Sequence, residues 1–196
     1  MNISVIGMGY VGCANALLLA QHNKVSIIDI DERKVKDFNS GILPIQDSMA
    51  TKYLDEKELN VIATSSIIKG TKDADFIILA LPTDFNESNN LYDTDVIESV
   101  INEIIILNNT ATIIIKSTIN IGFTRYVREK FNYKKIIFSP EFLREGHALE
   151  DNLNPSRIIV GDQSVEARSF SALLAQGADK QDIDILLTTP ESAECI

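Results

Sequence analysis

Eight short runs of β-branched and aliphatic residues recur along the chain, at 3–6, 25–28, 60–63, 76–81, 112–116, 136–138, 158–160 and 183–187. Several carry no polar alternation, Thr112-Ile113-Ile114-Ile115 being the plainest, and a strand without a polar face must be covered on both sides. Amphipathic stretches separate the runs at 10–21, 31–38, 95–107, 123–131 and 165–176, with Asp31, Asp95 and Ser164 standing where helix N-caps are wanted. Strands and helices alternating at this spacing build βαβ units with right-handed crossovers. The fold class is therefore α/β, a doubly wound, mostly parallel sheet. With 196 residues, 45% of them hydrophobic, the chain can fill the core that such a sheet needs. Two irregular stretches break the rhythm. One is 41–46, which holds Pro44. The other, 82–93, carries Asn86, Ser88, Asn89 and Asn90 and follows a strand; it reads equally as a solvated surface loop or as part of the ligand crevice that such sheets open on that side.

Gly7-Met8-Gly9-Tyr10-Val11-Gly12 lies between the first strand and the first helix. In this context Gly7 makes a tight turn, Gly9 admits a pyrophosphate close to the backbone, and Gly12 lets helix and strand approach. The helix N-terminus then offers unpaired N–H groups and partial positive charge to phosphates. Asp29 stands seventeen residues beyond Gly12, at the end of the second strand. A carboxylate there accepts hydrogen bonds from adenosine ribose hydroxyls and repels a 2′-phosphate, so NAD is favoured over NADP. Arg33 and Lys34 could attract that phosphate, but Asp29, Asp31 and Glu32 surround the same spot. These features specify a Rossmann-type dinucleotide-binding domain. They do not specify hydride transfer, because methyltransferases also carry glycine-rich first turns.

Composition removes several classes. Twenty-eight acidic against eighteen basic residues give a net charge of −10, which argues against nucleic-acid partners and anionic membrane surfaces. No run of eighteen apolar residues exists, and the first residues lack the basic region of a signal peptide, so a soluble, cytoplasmic protein is expected. Cys13 and Cys195 form no CxxC pair, and with only His22 and His147 besides, no metal site is expected.

Three further segments each follow a strand: Leu81-Pro82-Thr83, Lys116-Ser117-Thr118-Ile119-Asn120-Ile121-Gly122 and Ser139-Pro140-Glu141-Phe142-Leu143-Arg144-Glu145-Gly146. Together with Gly7–Gly12, Asp29, Pro44-Ile45-Gln46-Asp47 and the segment 154–160, they closely resemble the UDP-glucose/GDP-mannose dehydrogenase family. The resemblance runs through Gly161 and resumes at 191–196. It implies NAD-dependent, four-electron oxidation of a nucleotide sugar's C6 alcohol to a carboxylate through a cysteine thioester. UDP-glucose, giving UDP-glucuronate, is the implied substrate. It also implies that Gly7, Gly9, Tyr10, Val11, Gly12, Asp29, Lys34, Thr83, Thr118 and Glu145 hold NAD, and that Glu141, Phe142, Leu143, Arg144 and Glu145 line the sugar nucleotide. Thr118 and Glu141 are the implied catalytic groups, the first orienting a water and the second serving acid–base steps. Outside that motif, Glu141 and Glu145 would read as a solvated pair one helical turn apart.

The family's nucleophile sits in a G-x-C-x-P-K-D segment, and the chain has none. Cys13 falls inside the first helix, where a small packed residue is expected. The family's oxyanion-stabilising lysine and substrate-binding asparagine are also missing. Thr189-Pro190-Glu191 reads as a helix start. The expected organisation is an NAD-binding domain over 1–189, followed at 190–196 by the cut start of the family's central interdomain helix, which implies a homodimer at full length. Two other readings stay open: a dehydrogenase of another nucleotide sugar, such as GDP-mannose or a UDP-N-acetyl sugar, and a non-catalytic NAD-sensing module.

Overall fold

A computed structural model describes all of residues 1–196. Its first half runs β1 (Asn2–Ile6), α1 (Tyr10–Ala20), β2 (Lys24–Ile28), α2 (Glu32–Asn39), α3 (Ser48–Glu56), β3 (Val61–Thr64), α4 (Ile67–Thr71) and β4 (Phe76–Leu79). There follow β5 (Phe85–Asn86), β6 (Leu91–Tyr92), α5 (Asp95–Leu107), β7 (Thr112–Ile115), α6 (Phe123–Lys130), β8 (Ile136–Phe138), α7 (Ala148–Leu153), β9 (Arg157–Val160), α8 (Val165–Gly177), β10 (Asp184–Leu187) and α9 (Pro190–Glu194).

Six strands form one all-parallel sheet in the order β3-β2-β1-β4-β7-β8. The order reverses between β1 and β4, which is the switch point where such sheets bind ligands. β9 and β10 make a separate parallel pair beside β8, tied to it by the Gly161 N–H on the Phe138 carbonyl at 2.8 Å.

Period-two side-chain alternation explains the unbroken apolar runs. In β4, Phe76 and Ile78 enter one core while Ile77 and Leu79 enter the other. In β7, Ile114 faces the first core, and Ile113 and Ile115 face the second. The first core includes α1, whose residues Gly12 to Ala20 are all buried, with side chains of α3, α7 and α8; the second includes side chains of α5, α6 and α9.

The sequence-derived strands all appear, shifted by at most two residues at their ends. Asp31 and Ser164 cap α2 and α8 as expected, accepting from Arg33 N–H and Ala167 N–H. Asp95 does not cap α5: it is the first helical residue, Thr94 is the N-cap, and Asp93 Oδ1 takes the Asp95 N–H at 3.0 Å. Three short helices, α3, α4 and α7, lie where the sequence pattern marked none. The stretch 82–93 holds the two-residue strands β5 and β6, paired as a hairpin whose turn places Asn90 at φ 55°.

Candidate functional site

The glycine turn follows from local sterics. Gly7 has φ +107°, and a Cβ on it would lie 2.2 Å from the Ala80 carbonyl oxygen. A Cβ on Gly12 would lie 1.9 Å from the Gly7 carbonyl oxygen. Gly9 is the opposite case, with nothing within 4 Å of its Cβ position. No side chain caps α1, whose first residues, Tyr10 and Val11, are half-buried. The turn is thus packed tightly at Gly7 and Gly12 and open at Gly9, the cradle that a pyrophosphate needs at a helix N-terminus.

Asp29 does more than face this cradle. Its Oδ2 accepts the Met8 N–H at 2.9 Å and its Oδ1 accepts the Asp31 N–H at 3.0 Å, so the carboxylate ties the turn to the end of β2. Lys34 Nζ lies 3.6 Å from Asp29 Oδ2, whereas the Arg33 side chain is 95% exposed and 3.9 Å from Asp31. Lys34 is therefore the cation that belongs to this end of the site.

Beyond the switch point, Ser117 Oγ accepts the Leu81 N–H at 2.8 Å, which fixes the exit of β4 toward the half-buried Thr83. Asn120 grips the hairpin in both directions: its Oδ1 accepts the Tyr92 N–H and its Nδ2 donates to the Tyr92 carbonyl, each at 2.9 Å. Thr118 lies exposed between these two anchors. Lys116, at the end of β7, is buried, and Nζ donates to Ser139 Oγ and the Pro140 carbonyl, each at 3.3 Å. Burial lowers its amine to about 8, against the pull of Glu141, which raises it.

Residues 139–147 after β8 are not helical, so Glu141 and Glu145 are not a one-turn pair. Glu141 is half-buried, its Oε2 accepting the Leu143 N–H at 2.6 Å. Glu145 is exposed, and Phe142 lies under Arg157, whose guanidinium is 4.8 Å from the ring centre. Leu143 packs on the first core, and the Arg144 guanidinium is committed to Asp151, with its closest contact at 2.6 Å, so those two offer a ligand mainly their backbone. The loop is seated by Asp47, only 2% exposed, whose Oδ1 caps α3 at Ala50 N–H and whose Oδ2 accepts the Leu149 N–H of α7.

The candidate residues thus stand at the ends of five neighbouring strands: Asp29 after β2, the glycine turn after β1, Thr83 after β4, Thr118 after β7 and Glu141 after β8. At about 4.8 Å per strand the row spans roughly 19 Å along the edge of the sheet where such folds bind ligands. Cys13 takes no part, since burial pushes its thiol up to about 12. Sequence reasoning assigned no role to Asp47, Lys116 or Glu194. The available signal for Lys116 was a cation closing an otherwise apolar strand.

Comparison with known proteins agrees with this geometry. The model of the UDP-glucose/GDP-mannose dehydrogenase family, NAD binding domain, matches residues 1–176. A UDP-glucose 6-dehydrogenase of Streptococcus pneumoniae is 46% identical over 99% of the chain and 51% of that protein. One of Campylobacter jejuni is 42% identical over 100% of the chain and 50% of that protein. A GDP-mannose dehydrogenase structure from Pseudomonas aeruginosa superposes with TM-score 0.84 at 25% identity, covering 100% of this chain and 48% of the other. The chain therefore spans about half the length of the curated relatives it matches. It belongs to the UDP-glucose/GDP-mannose dehydrogenase family, as an NAD-binding domain with a Rossmann fold.

Proposed function

We propose that the chain is the cofactor-binding part of a UDP-glucose 6-dehydrogenase, which oxidises UDP-glucose to UDP-glucuronate. The observation that carries this reading is the row of Asp29, Gly9, Thr83, Thr118 and Glu141 across five adjacent strand ends. UDP-glucose is preferred to other sugar nucleotides because the relatives at 42% and 46% identity carry that name.

NAD, when bound, supplies the hydride acceptor. The remaining work falls to protein groups. Asp29, already ordered by the Met8 and Asp31 N–H groups, accepts the ribose hydroxyls and disfavours a 2′-phosphate, and Lys34 lies beside it. The open backbone at Gly9 admits the pyrophosphate. Thr83, Thr118 and Glu145 complete the cofactor contacts. Phe142 and the backbone of residues 141–145 line the sugar. Thr118 orients a water. Glu141, held by the Leu143 N–H at one oxygen, takes a proton from that water as the thioester is hydrolysed. The thioester forms on a cysteine that is not in this chain. Residues 190–196 start the helix that links to the other half, and the full-length protein is a homodimer.

The test joins these 196 residues to the second half of the Streptococcus pneumoniae relative and supplies NAD and UDP-glucose. Two NADH per UDP-glucuronate are expected, and none from the 196 residues alone. NADH from the chain alone, or turnover only with GDP-mannose or a UDP-N-acetyl sugar, would refute the assignment.

A further inference from the structure

α6 has no cap of its own. Its N-cap is Gly122, in the left-handed region at φ 89°, with no side chain to accept from the first-turn N–H groups. The acceptor comes from 72 residues further along: Glu194, at the end of α9, takes the Gly122 N–H on Oε2 at 2.6 Å and the Thr124 N–H on Oε1 at 2.8 Å. α9 is seated firmly enough to deliver it. Ala193 is buried over Gly161, where a Cβ would come within 2.9 Å of the Ala193 Cβ, whereas the Glu191 pair with Arg125 of α6 lies at the surface, where such pairs contribute little. Gly122 closes the loop that carries Thr118. That loop has three anchors: Ser117 on β4, Asn120 on the hairpin, and Glu194. Only the last is a charged group, and charge-assisted bonds are the strong ones.

We propose that Glu194 is a positioning residue for the cofactor, fixing Gly122 to Thr124 and through them Thr118 against the nicotinamide half of NAD. The sheet order supports this assignment of halves. With the adenosine ribose at Asp29 and the pyrophosphate at Gly9, the remainder of an extended dinucleotide runs over β4 toward β7. The proposal rests on the reading above that Thr118 meets the cofactor.

Because the loop serves one half of the ligand, the test compares NADH with ADP-ribose, which lacks the nicotinamide. Dissociation constants are measured on the 196-residue chain and on its Glu194→Gln, Glu191→Gln and Thr118→Val variants. Glu194→Gln should weaken NADH about tenfold and leave ADP-ribose within about twofold, while Glu191→Gln changes neither. Equal losses for both ligands would make Glu194 a fold-stabilising residue and overturn the proposal, as would unchanged NADH affinity or the same effect from Glu191→Gln. Thr118→Val separates the two levels. If it leaves NADH affinity intact, the placement of Thr118 is wrong and the proposal falls with it. If it weakens NADH while Glu194→Gln does not, the proposal alone falls.

Discussion

Gly9 and Gly12 are three residues apart in one motif, yet the structure uses them for different ends. At Gly12 an added methyl group meets the Gly7 carbonyl at 1.9 Å, so Gly12→Ala should destabilise the fold by about 3 kcal/mol, seen as a fall of roughly 6–12 °C in thermal unfolding. At Gly9 the methyl group meets nothing, and Gly9→Ala should hold its melting temperature within about 2 °C while weakening NADH at least about tenfold. If Gly9→Ala binds NADH like the parent, the pyrophosphate does not pass there. The tight packing at Gly7 and Gly12 was readable in the sequence because turn, strand end and helix start are neighbours along the chain. The roles of Asp47 and Glu194 were not readable. Asp47 acquires its second partner from Leu149, 102 residues away, and Glu194 acts across 70 residues on Thr124. Nothing local marks such a contact before the chain has folded.

Helix ends show the same division. Asp47 supports two elements at once, capping α3 through Ala50 and receiving the Leu149 N–H at the start of α7, from a nearly dry position. Asp47→Ala should cost about 2–4 kcal/mol in urea unfolding, and Asp47→Asn, which keeps one acceptor oxygen, roughly half of that. Equal losses for the two variants would mean that only one of the two bonds matters. The long elements were legible because burial on both faces of the sheet demands unbroken aliphatic runs, and α5 and α8 are long enough to show a helical period. α3, α4 and α7 were missed for physical reasons. α7 has six residues and α4 five, with Gly70 inside it, so both derive their stability from packing rather than from propensity. α3 buries only Ala50 and Tyr53, too narrow a face to stand out. The strands of the β5–β6 hairpin, two residues each and largely exposed, carry no alternation to detect.

On the scale of the whole molecule, two ion pairs join parts that the sheet does not connect. Arg128 of α6 reaches Asp162 after β9 at 2.6 Å, and Arg144 holds Asp151 of α7 at 2.6 Å. Burial raises the Asp162 carboxyl, but the hydrogen bonds from Ser164 and the Arg128 pair outweigh it and leave the group below its usual value. The Arg144 hydrogen bond does the same for Asp151, against its partial burial. Carboxyls lowered in the folded state contribute stability above their unfolded value near 3.9, and that contribution is lost as pH falls through the lower folded values. From these two groups the urea midpoint should therefore be flat between about pH 5 and 7 and decline below about pH 4, with a shallower decline in Asp162→Asn. An unchanged slope in that variant would remove Asp162 from the account.

The central place of β1 also sets the order in which the site can be assembled during synthesis. β1 pairs with β2 on one side, but its other neighbour starts at Phe76, so residues 1–75 by themselves leave one edge of β1 bare. The glycine turn gains its wall only when Ala80 arrives to donate its N–H to the Ile6 carbonyl at 2.9 Å. Glu194 comes more than a hundred residues later. A nascent chain therefore completes the end of the crevice at Asp29 and the glycine turn well before the Thr118 end, whose loop waits for Glu194.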